Sequence, residues 1–347
     1  MDPHLELHTP APGFILANQR TESSFEQIPV IDFTDAASRN PAKRRILADR
    51  IRDACINGMS SAPELGFFYV KTHPISEETI ADTISAARDF FALPTPDKLA
   101  LDIHKSANFK GYTALLGENT DPEGRGDLHE GFDIGWEQAT TGPMSGANVW
   151  PSEATLPGFR ARVLAYYHAA VQLGQALFPL FALALDLPET FFDDKTTTPA
   201  AIMRLLHYPP QRPAIDDDGR VIGIGAHTDY ECFTILWQDA VGGLQVQNAD
   251  GKWIDAIPIE GTFVINLGDQ FARWTNDVFK STLHRVANAS GRERYSMPLF
   301  FGTDYDVLLE PLPSCVSPDQ PSKYEAVTAG EYVKRRLEET YARSKGE

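Results

Sequence analysis

The sequence predicts a mainly β protein with flanking helices, whose core is a sandwich or double-sheet jelly roll entered through an N-terminal α/β segment. Beyond Ala201, short runs rich in β-branched and aromatic residues follow one another, separated by Gly, Asn and Asp turns, the pattern of two packed antiparallel sheets. Helical periodicity is confined to the first half and the C-terminal end. At 347 residues and 42% hydrophobic content, the chain can bury one large core, and all-β domains of this size often stay undivided.

Residues 1–27 are polar and Pro-containing and read as an arm. Ile28 to Phe33 reads as a short strand starting at a proline edge, with Asp32 as a helix-entry residue. Ala42 to Cys55 carries Ile46, Leu47, Ile51 and Ala54 at helical spacing, and Gly66 to Val70 returns to strand character. A second helix is expected from Ser76, its cap, to Phe91, with Ile80, Ile84, Ala87 and Phe91 on one stripe and Leu93-Pro94 as its stop. Between Asp102 and Pro157 the chain is rich in Gly, Asp, Asn and Pro with interspersed aromatics; structureless length of this kind is usually functional. A long apolar helix follows from Phe159 to Leu185.

The strands expected after it are Ala201–Tyr208, Gly225–Asp229, Phe233–Gln238, Leu244–Asn248, Trp253–Ile257, Phe263–Leu267 and Arg294–Phe301. Turns fall at Asp216–Gly219, Gly242-Gly243, Asn248–Gly251 and Gly268-Asp269. Glu331 to Arg343 reads as a charged amphipathic helix packed on the outside. The chain thus divides into an arm (1–27), an α/β region with substrate-side loops (28–157) and a helix with the jelly-roll core and C-terminal helix (158–347), forming one compact unit.

A formal charge of −17 and a pI of about 4.9 argue against nucleic acid as a partner, because phosphates call for clustered Lys and Arg. Lys43-Arg44-Arg45 and Lys334-Arg335-Arg336 fall in amphipathic helices and read as solvated faces. Cys55, Cys232 and Cys315 lack CxxC spacing, so reduced thiols in the cytoplasm are expected rather than a zinc knuckle or disulfide framework. The N-terminus has no signal-peptide pattern and no apolar run approaches membrane-spanning length. A small-molecule substrate is therefore expected, with no nucleic-acid, membrane or protein partner indicated.

The chemistry concentrates at His227-Thr228-Asp229. Residues two apart on a strand share a face, so an imidazole and a carboxylate converge there. An isolated His-x-Asp is usually an ordinary polar pair near a strand end. His284, 55 residues beyond Asp229, changes the reading: two His and one carboxylate form the face that holds non-haem Fe(II) and leaves positions open. Ten residues further, Arg294 and Ser296 share a strand face whose neighbours are apolar. A guanidinium inside a small barrel needs an anion, and a carboxylate paired bidentately with support from a hydroxyl satisfies it. A surface ion pair with Glu293 or Asp304 is the alternative.

Together His227-Thr228-Asp229, His284 and Arg294-Tyr295-Ser296 resemble the isopenicillin N synthase-like branch of the Fe(II)/2-oxoglutarate-dependent dioxygenases. Ile28–Asp32, Gly66–His73 and Gly242–Val246 extend the resemblance over nearly the whole chain. It implies a double-stranded β-helix, the cupin-like jelly roll, with Fe(II) as the metal and 2-oxoglutarate and O2 as cosubstrates. It implies that Arg294 and Ser296 take the distal carboxylate of 2-oxoglutarate and that Tyr208 hydrogen-bonds the same molecule. Leu206-His207 precede Tyr208 where plant members often have Asn. His73 matches a family loop histidine and is read as structural; His207 faces opposite to Tyr208. His4, His8, His104, His129 and His168 have no partner at ligand spacing and read as surface or core.

On the substrate side, the closing segment is expected between Asn108 and Trp150, with Phe109, Tyr112, Glu130, Phe132 and Trp150 lining the pocket and Phe300 as its floor. Arg204 either anchors an anionic substrate group or pairs with a carboxylate such as Glu130. No catalytic group is expected beyond the metal ligands. The implied activity is 2-oxoglutarate-dependent hydroxylation, desaturation or a related oxidation of a small molecule, best classed as a specialised metabolite, with release of succinate and CO2. A cosubstrate-free oxidase, an ethylene-forming variant suggested by Gly223–Tyr230 with Arg204, and a non-catalytic ligand-binding protein are the alternatives.

Overall fold

The computed structural model describes residues 14–16, 27–57, 66–106, 108–121, 126–137, 146–210 and 223–344. His4, His8 and the Asp216–Gly219 turn lie outside the described residues.

The first half supplies strands β1 (Phe14–Leu16), β2 (Gln27–Asp32), β3 (Phe67–Lys71), β4 (Gly111–Thr113) and β5 (Glu130–Ile134). Its helices are α1 (Pro41–Arg52), α2 (Glu77–Phe91) and the short α3 (Thr95–Leu99). After the long α4 (Phe159–Ala184) come β6 (Ala201–Tyr208), β7 (Ile224–His227), β8 (Phe233–Gln238), β9 (Leu244–Gln247), β10 (Trp253–Asp255) and β11 (Thr262–Leu267). The short α5 (Asp269–Trp274), β12 (His284–Val286), β13 (Arg294–Phe301), the pair β14 (Leu308–Leu309) and β15 (Val327–Thr328), and α6 (Ala329–Ser344) complete the order.

Two sheets face each other. The larger has the order β1-β2-β3-β11-β8-β13-β6-β5-β4 and the smaller β10-β9-β12-β7. All pairings are antiparallel except β2 with β3.

The strand period of two separates the faces of the larger sheet. Ala201, Met203 and Leu205 of β6 and Met297, Leu299 and Phe301 of β13 join the apolar layer under α4, where Phe178 and Phe181 pack on Phe233 and Phe271. The opposite face, with Leu206, Tyr208, Leu236 and Val264, meets Ile224, Leu244, Val246 and Val286 of the smaller sheet. The functional residues lie in this second, inter-sheet layer.

Several expectations are corrected. Asp32 does not enter a helix: its carboxylate accepts from Thr34 N and Oγ1, and α1 is capped by Asn40. The segment from Asp102 to Pro157 is not structureless, because β4 and β5 extend the larger sheet beside β6. Its Gly and Asp content masks strands only three and five residues long. The strand at His284 spans three residues, too short for a period to show. Ser76 caps α2 as expected, accepting from Thr79 N at 3.1 Å. Among the described residues, no helix is long and apolar enough to cross a membrane.

Candidate metal centre and substrate cavity

His227 ends β7 and stands opposite His284 of β12 in the antiparallel register. Asp229 lies past the end of β7, so it reaches the two imidazoles through the turn rather than by strand alternation, and Thr228 lines the cavity as well instead of pointing away. The ligand-capable atoms of His227, Asp229 and His284 all lie within 4.8 Å of one another. Asp229 Oδ1 is 3.7 Å from His227 Nε2 and 3.6 Å from His284 Nε2.

The surroundings fix which atoms face inward. His227 Nδ1 meets Gly225 O at 2.8 Å and His284 Nδ1 meets Thr282 O at 3.0 Å; donation to these carbonyls puts each proton on Nδ1 and turns the Nε2 lone pair toward the shared space. Asp229 Oδ2 accepts from Thr234 Oγ1 and from Asn266 Nδ2, the latter at 2.6 Å, which leaves Oδ1 toward the imidazoles. Burial alone would raise the Asp229 carboxyl, but His284 and His227 hold it well below the usual carboxylate range. Burial, reinforced by His284, pushes His227 down to about 4. Burial opposes a charge on His284, yet Asp229 raises it. One anionic oxygen and two imidazole nitrogens on one side of a point match a facial metal site with open positions.

Beside it, Arg294 is fully buried. Its Nε donates to Gly242 O at 2.7 Å, Nη1 to Ser296 Oγ at 3.0 Å and Nη2 to Gln238 Oε1 at 3.3 Å, and its Cζ sits 4.7 Å from the centroid of the Tyr208 ring. No carboxylate among the described residues pairs with it, so neither Glu293 nor Asp304 plays that part. A buried guanidinium with only neutral partners retains a strong demand for an anion. Tyr208, Ser296 and Arg294 line one cavity with the His–Asp–His group.

That cavity measures about 1140 Å³ counted out to its open mouth. Phe109, Arg204 and Phe300 line it as expected. Tyr112, Glu130, Phe132 and Trp150 do not. Glu130 accepts from Lys98 Nζ and Tyr112 OH, each at 2.6 Å, and meets His207 Nδ1 at 2.8 Å. Phe132 and Trp150 pack around Phe159 in the helix-side layer, and Trp150 Nε1 donates to Glu137. His207 stacks on Tyr295 with ring centroids 4.8 Å apart, on the face opposite Tyr208. His73 packs edge-on against Phe263, His104 pairs with Asp102, and His168 lies on α4.

Arg204 pairs with carboxylates, the second of its two expected roles, but they are Asp133 and Glu118 rather than Glu130. It grips Asp133 through Nε at 2.6 Å and Nη2 at 2.5 Å, and Glu118 through Nη1 at 2.6 Å. Asp133 stands opposite Arg204 in the register of β5 and β6, while Phe132 and Ile134 of the same strand join the helix-side apolar layer, and the sequence reading does not single it out. Glu118 and His129 come from irregular segments with no periodic signal, and His129 lines the cavity rather than the surface. The C-terminal helix does more than cover the outside, since Val333, Leu337 and Thr340 of α6 form part of the wall. Tyr230 hydrogen-bonds Thr340 across it at 2.7 Å, and Arg336 reaches Asp269 at 2.6 Å.

Comparison with known proteins bears on this geometry. Residues 199–303 match the 2OG-Fe(II) oxygenase superfamily, and residues 28–153 match the N-terminal region described as non-haem dioxygenase in morphine synthesis N-terminal. The 2-oxoglutarate-Fe(II) type oxidoreductase hxnY of Emericella nidulans is 38% identical over 327 residues, 91% of either chain. Homoarginine-6-hydroxylase 2-ODD-233 of Oryza sativa subsp. japonica is 32% identical, over 91% of this chain and 98% of the relative. Among solved structures, a full-length Neurospora crassa protein in complex with alpha-KG and 5-formyluracil superposes with a TM-score of 0.81 at 30% identity, over 94% of this chain and 99% of that one.

Proposed function

Because the chain belongs to the 2OG-Fe(II) oxygenase superfamily, we propose that His227, Asp229 and His284 hold its iron, that Arg294, Ser296 and Tyr208 receive its 2-oxoglutarate, and that its substrate is a specialised metabolite. The protein is a 2-oxoglutarate-dependent Fe(II) dioxygenase acting on a small molecule, with a double-stranded β-helix core. The fully buried Arg294, with no carboxylate partner among the described residues and beside three converging ligand atoms, carries the residue assignment. Fe(II) and 2-oxoglutarate, when bound, would supply, with O2 as the oxidant, the chemistry that yields succinate, CO2 and the oxidised substrate.

The residues of this chain do the rest. Gly225 O and Thr282 O hold the two imidazoles in their ligating tautomer, and Thr234 with Asn266 orients the carboxylate. Arg294 supplies a fixed fork for the distal carboxylate, and Ser296 and Tyr208 stand beside it. Phe300, Leu337 and their neighbours form apolar walls that exclude water from the substrate side. The three buried, free thiols support a reducing compartment such as the cytoplasm.

The cosubstrate-free alternative is disfavoured by the neighbour solved with 2-oxoglutarate. Adding Fe(II) and 2-oxoglutarate without oxygen should produce a visible metal-to-ligand charge-transfer band in the wild type, and His227→Ala or Asp229→Ala should lose it. A wild-type protein without the band, or an Asp229→Ala variant that keeps it, defeats the assignment.

A further inference from the structure

Helix α6 presents different stripes to two cavities. Val333, Leu337 and Thr340, spaced by four and three, share one face and line the cavity of the His–Asp–His group. Tyr332 and Arg336, also four apart, line a neighbouring polar cavity with Asp269 and Asp277. The polar stripe ties the helix down. Asp269 Oδ2 accepts from Tyr332 OH at 2.7 Å and from Arg336 Nη1 at 2.6 Å, and Arg336 Cζ lies 4.4 Å from the centroid of the Tyr230 ring. Thr340 Oγ1 donates to Arg336 O at 3.0 Å, so the Tyr230 hydroxyl is the donor in its 2.7 Å bond with Thr340. Asp269 N in turn donates to Asp229 O at 2.8 Å. The helix is therefore fastened to the turn that carries Asp229, with its apolar stripe held against the cavity.

We propose, on the basis of the 2-oxoglutarate-dependent reading above, that α6 is a specificity-determining wall: the substrate places an uncharged hydrocarbon portion against Val333 and Leu337, and Leu337 sets how large that portion can be. The α6 residues lining the cavity carry no charge, and the one hydroxyl among them, that of Thr340, gives its proton to Arg336 O. A group meeting this wall gains chiefly by apolar contact. Val333 is 3% exposed and already packed, whereas Leu337 is only half-buried and has surface left to cover. Phe300 and Ile202, also half-buried, stand opposite each other in the register of β13 and β6 and add an apolar patch to the same cavity. Because Asp269 and Tyr230 hold the helix in place, a bulkier group is refused rather than accommodated by a retreating wall. In such a pocket each methylene gained or lost is worth about tenfold or more in discrimination.

The test uses the full chain with Fe(II) and 2-oxoglutarate and two neutral probes that differ by one ring, benzyl alcohol and 2-naphthalenemethanol. Perturbation of the anaerobic charge-transfer band and stimulated succinate release in air are both recorded, and the concentrations at which the two probes act are compared as a ratio. Leu337→Ala should shift that ratio toward the naphthyl probe by about tenfold, and Leu337→Trp toward the benzyl probe by about as much. Leu337→Met, similar in volume, should keep the wild-type ratio. Arg336→Ala, which cuts the tie to Asp269 and Tyr230, should shift the ratio in the same direction as Leu337→Ala, with Arg336→Lys between it and the wild type. No response of the wild type to either probe, or a ratio unchanged in both Leu337→Ala and Leu337→Trp, overturns the proposal. A wild type that forms no band before any probe is added is instead a failure of the iron and 2-oxoglutarate reading, so the two are distinguishable.

Discussion

At Asp229 the two carboxylate oxygens have different duties. Thr234 and Asn266 both bond Oδ2, and Oδ1 alone turns to the imidazoles. Asn266→Ala should therefore lower metal affinity by about 10- to 100-fold without removing a ligand, as read by anaerobic Fe(II) titration; unchanged affinity would mean the backbone alone orients the carboxylate. At Arg294 the decisive feature is the planar fork. Arg294→Lys preserves charge but not bidentate geometry, so it should weaken 2-oxoglutarate binding by at least about tenfold while Fe(II) affinity stays near wild type. Equal 2-oxoglutarate affinity in the two proteins would show that charge alone recruits the cosubstrate. Arg204 differs because its partners are already in place: Arg204→Ala should destabilise the fold by about 3–5 kcal/mol, the cost of leaving buried carboxylates without their cation, measured by chemical denaturation. A loss below about 1 kcal/mol would mean that water or protonation relieves Asp133 and Glu118.

Element geometry explains which of these residues can be found in the sequence. On β6 and β13, eight residues each, the period of two sorts the side chains, so spacing puts Arg294, Ser296 and Phe300 on one face, and the family resemblance adds Tyr208. On β5 and β12 the runs are too short for that, and without a phase the sequence reading overlooks Asp133 and misplaces Glu130 and Phe132. Glu118 and His129 depend on how an irregular segment lies against β7. There a Cβ on Gly225 would stand 2.5 Å from Asp121 Cβ, a close approach that no local pattern encodes. Helix α4 offers a test of the same kind of contact. Gly174 is helical and buried, so replacement by Ala would ordinarily stabilise by roughly 1 kcal/mol. Its Cβ, however, would meet the Phe301 ring of β13 at 2.9 Å. Gly174→Ala should instead destabilise by about 1–3 kcal/mol through overpacking; a rise in thermal midpoint would show that Phe301 moves aside freely.

For the whole molecule, the larger sheet decides how the two halves of the chain depend on each other. Its central strands β11, β8, β13 and β6 come from the second half, but β3 borders them on one side and β5 on the other, both from the first half. Removing residues 28–157 would expose two long sheet edges and the apolar face beneath α2, and would take Glu118 and Asp133 out of the cavity. Exposed edges and apolar surface of that extent oppose an independent second half, so the chain should unfold as one unit. The tryptophans allow this to be seen from both halves: Trp136 and Trp150 lie in the first, Trp237, Trp253 and Trp274 in the second. Tryptophan fluorescence and far-UV circular dichroism should therefore give one midpoint in urea. Because the proposed metal ligands sit between the sheets, a divalent ion held by them binds only the folded chain, and Mn(II) at a hundredfold excess over its dissociation constant should add about 2.7 kcal/mol, shifting both probes together. Two separated midpoints, or a Mn(II) shift confined to one probe, would show that the halves fold apart and that the shared sheet does not couple them.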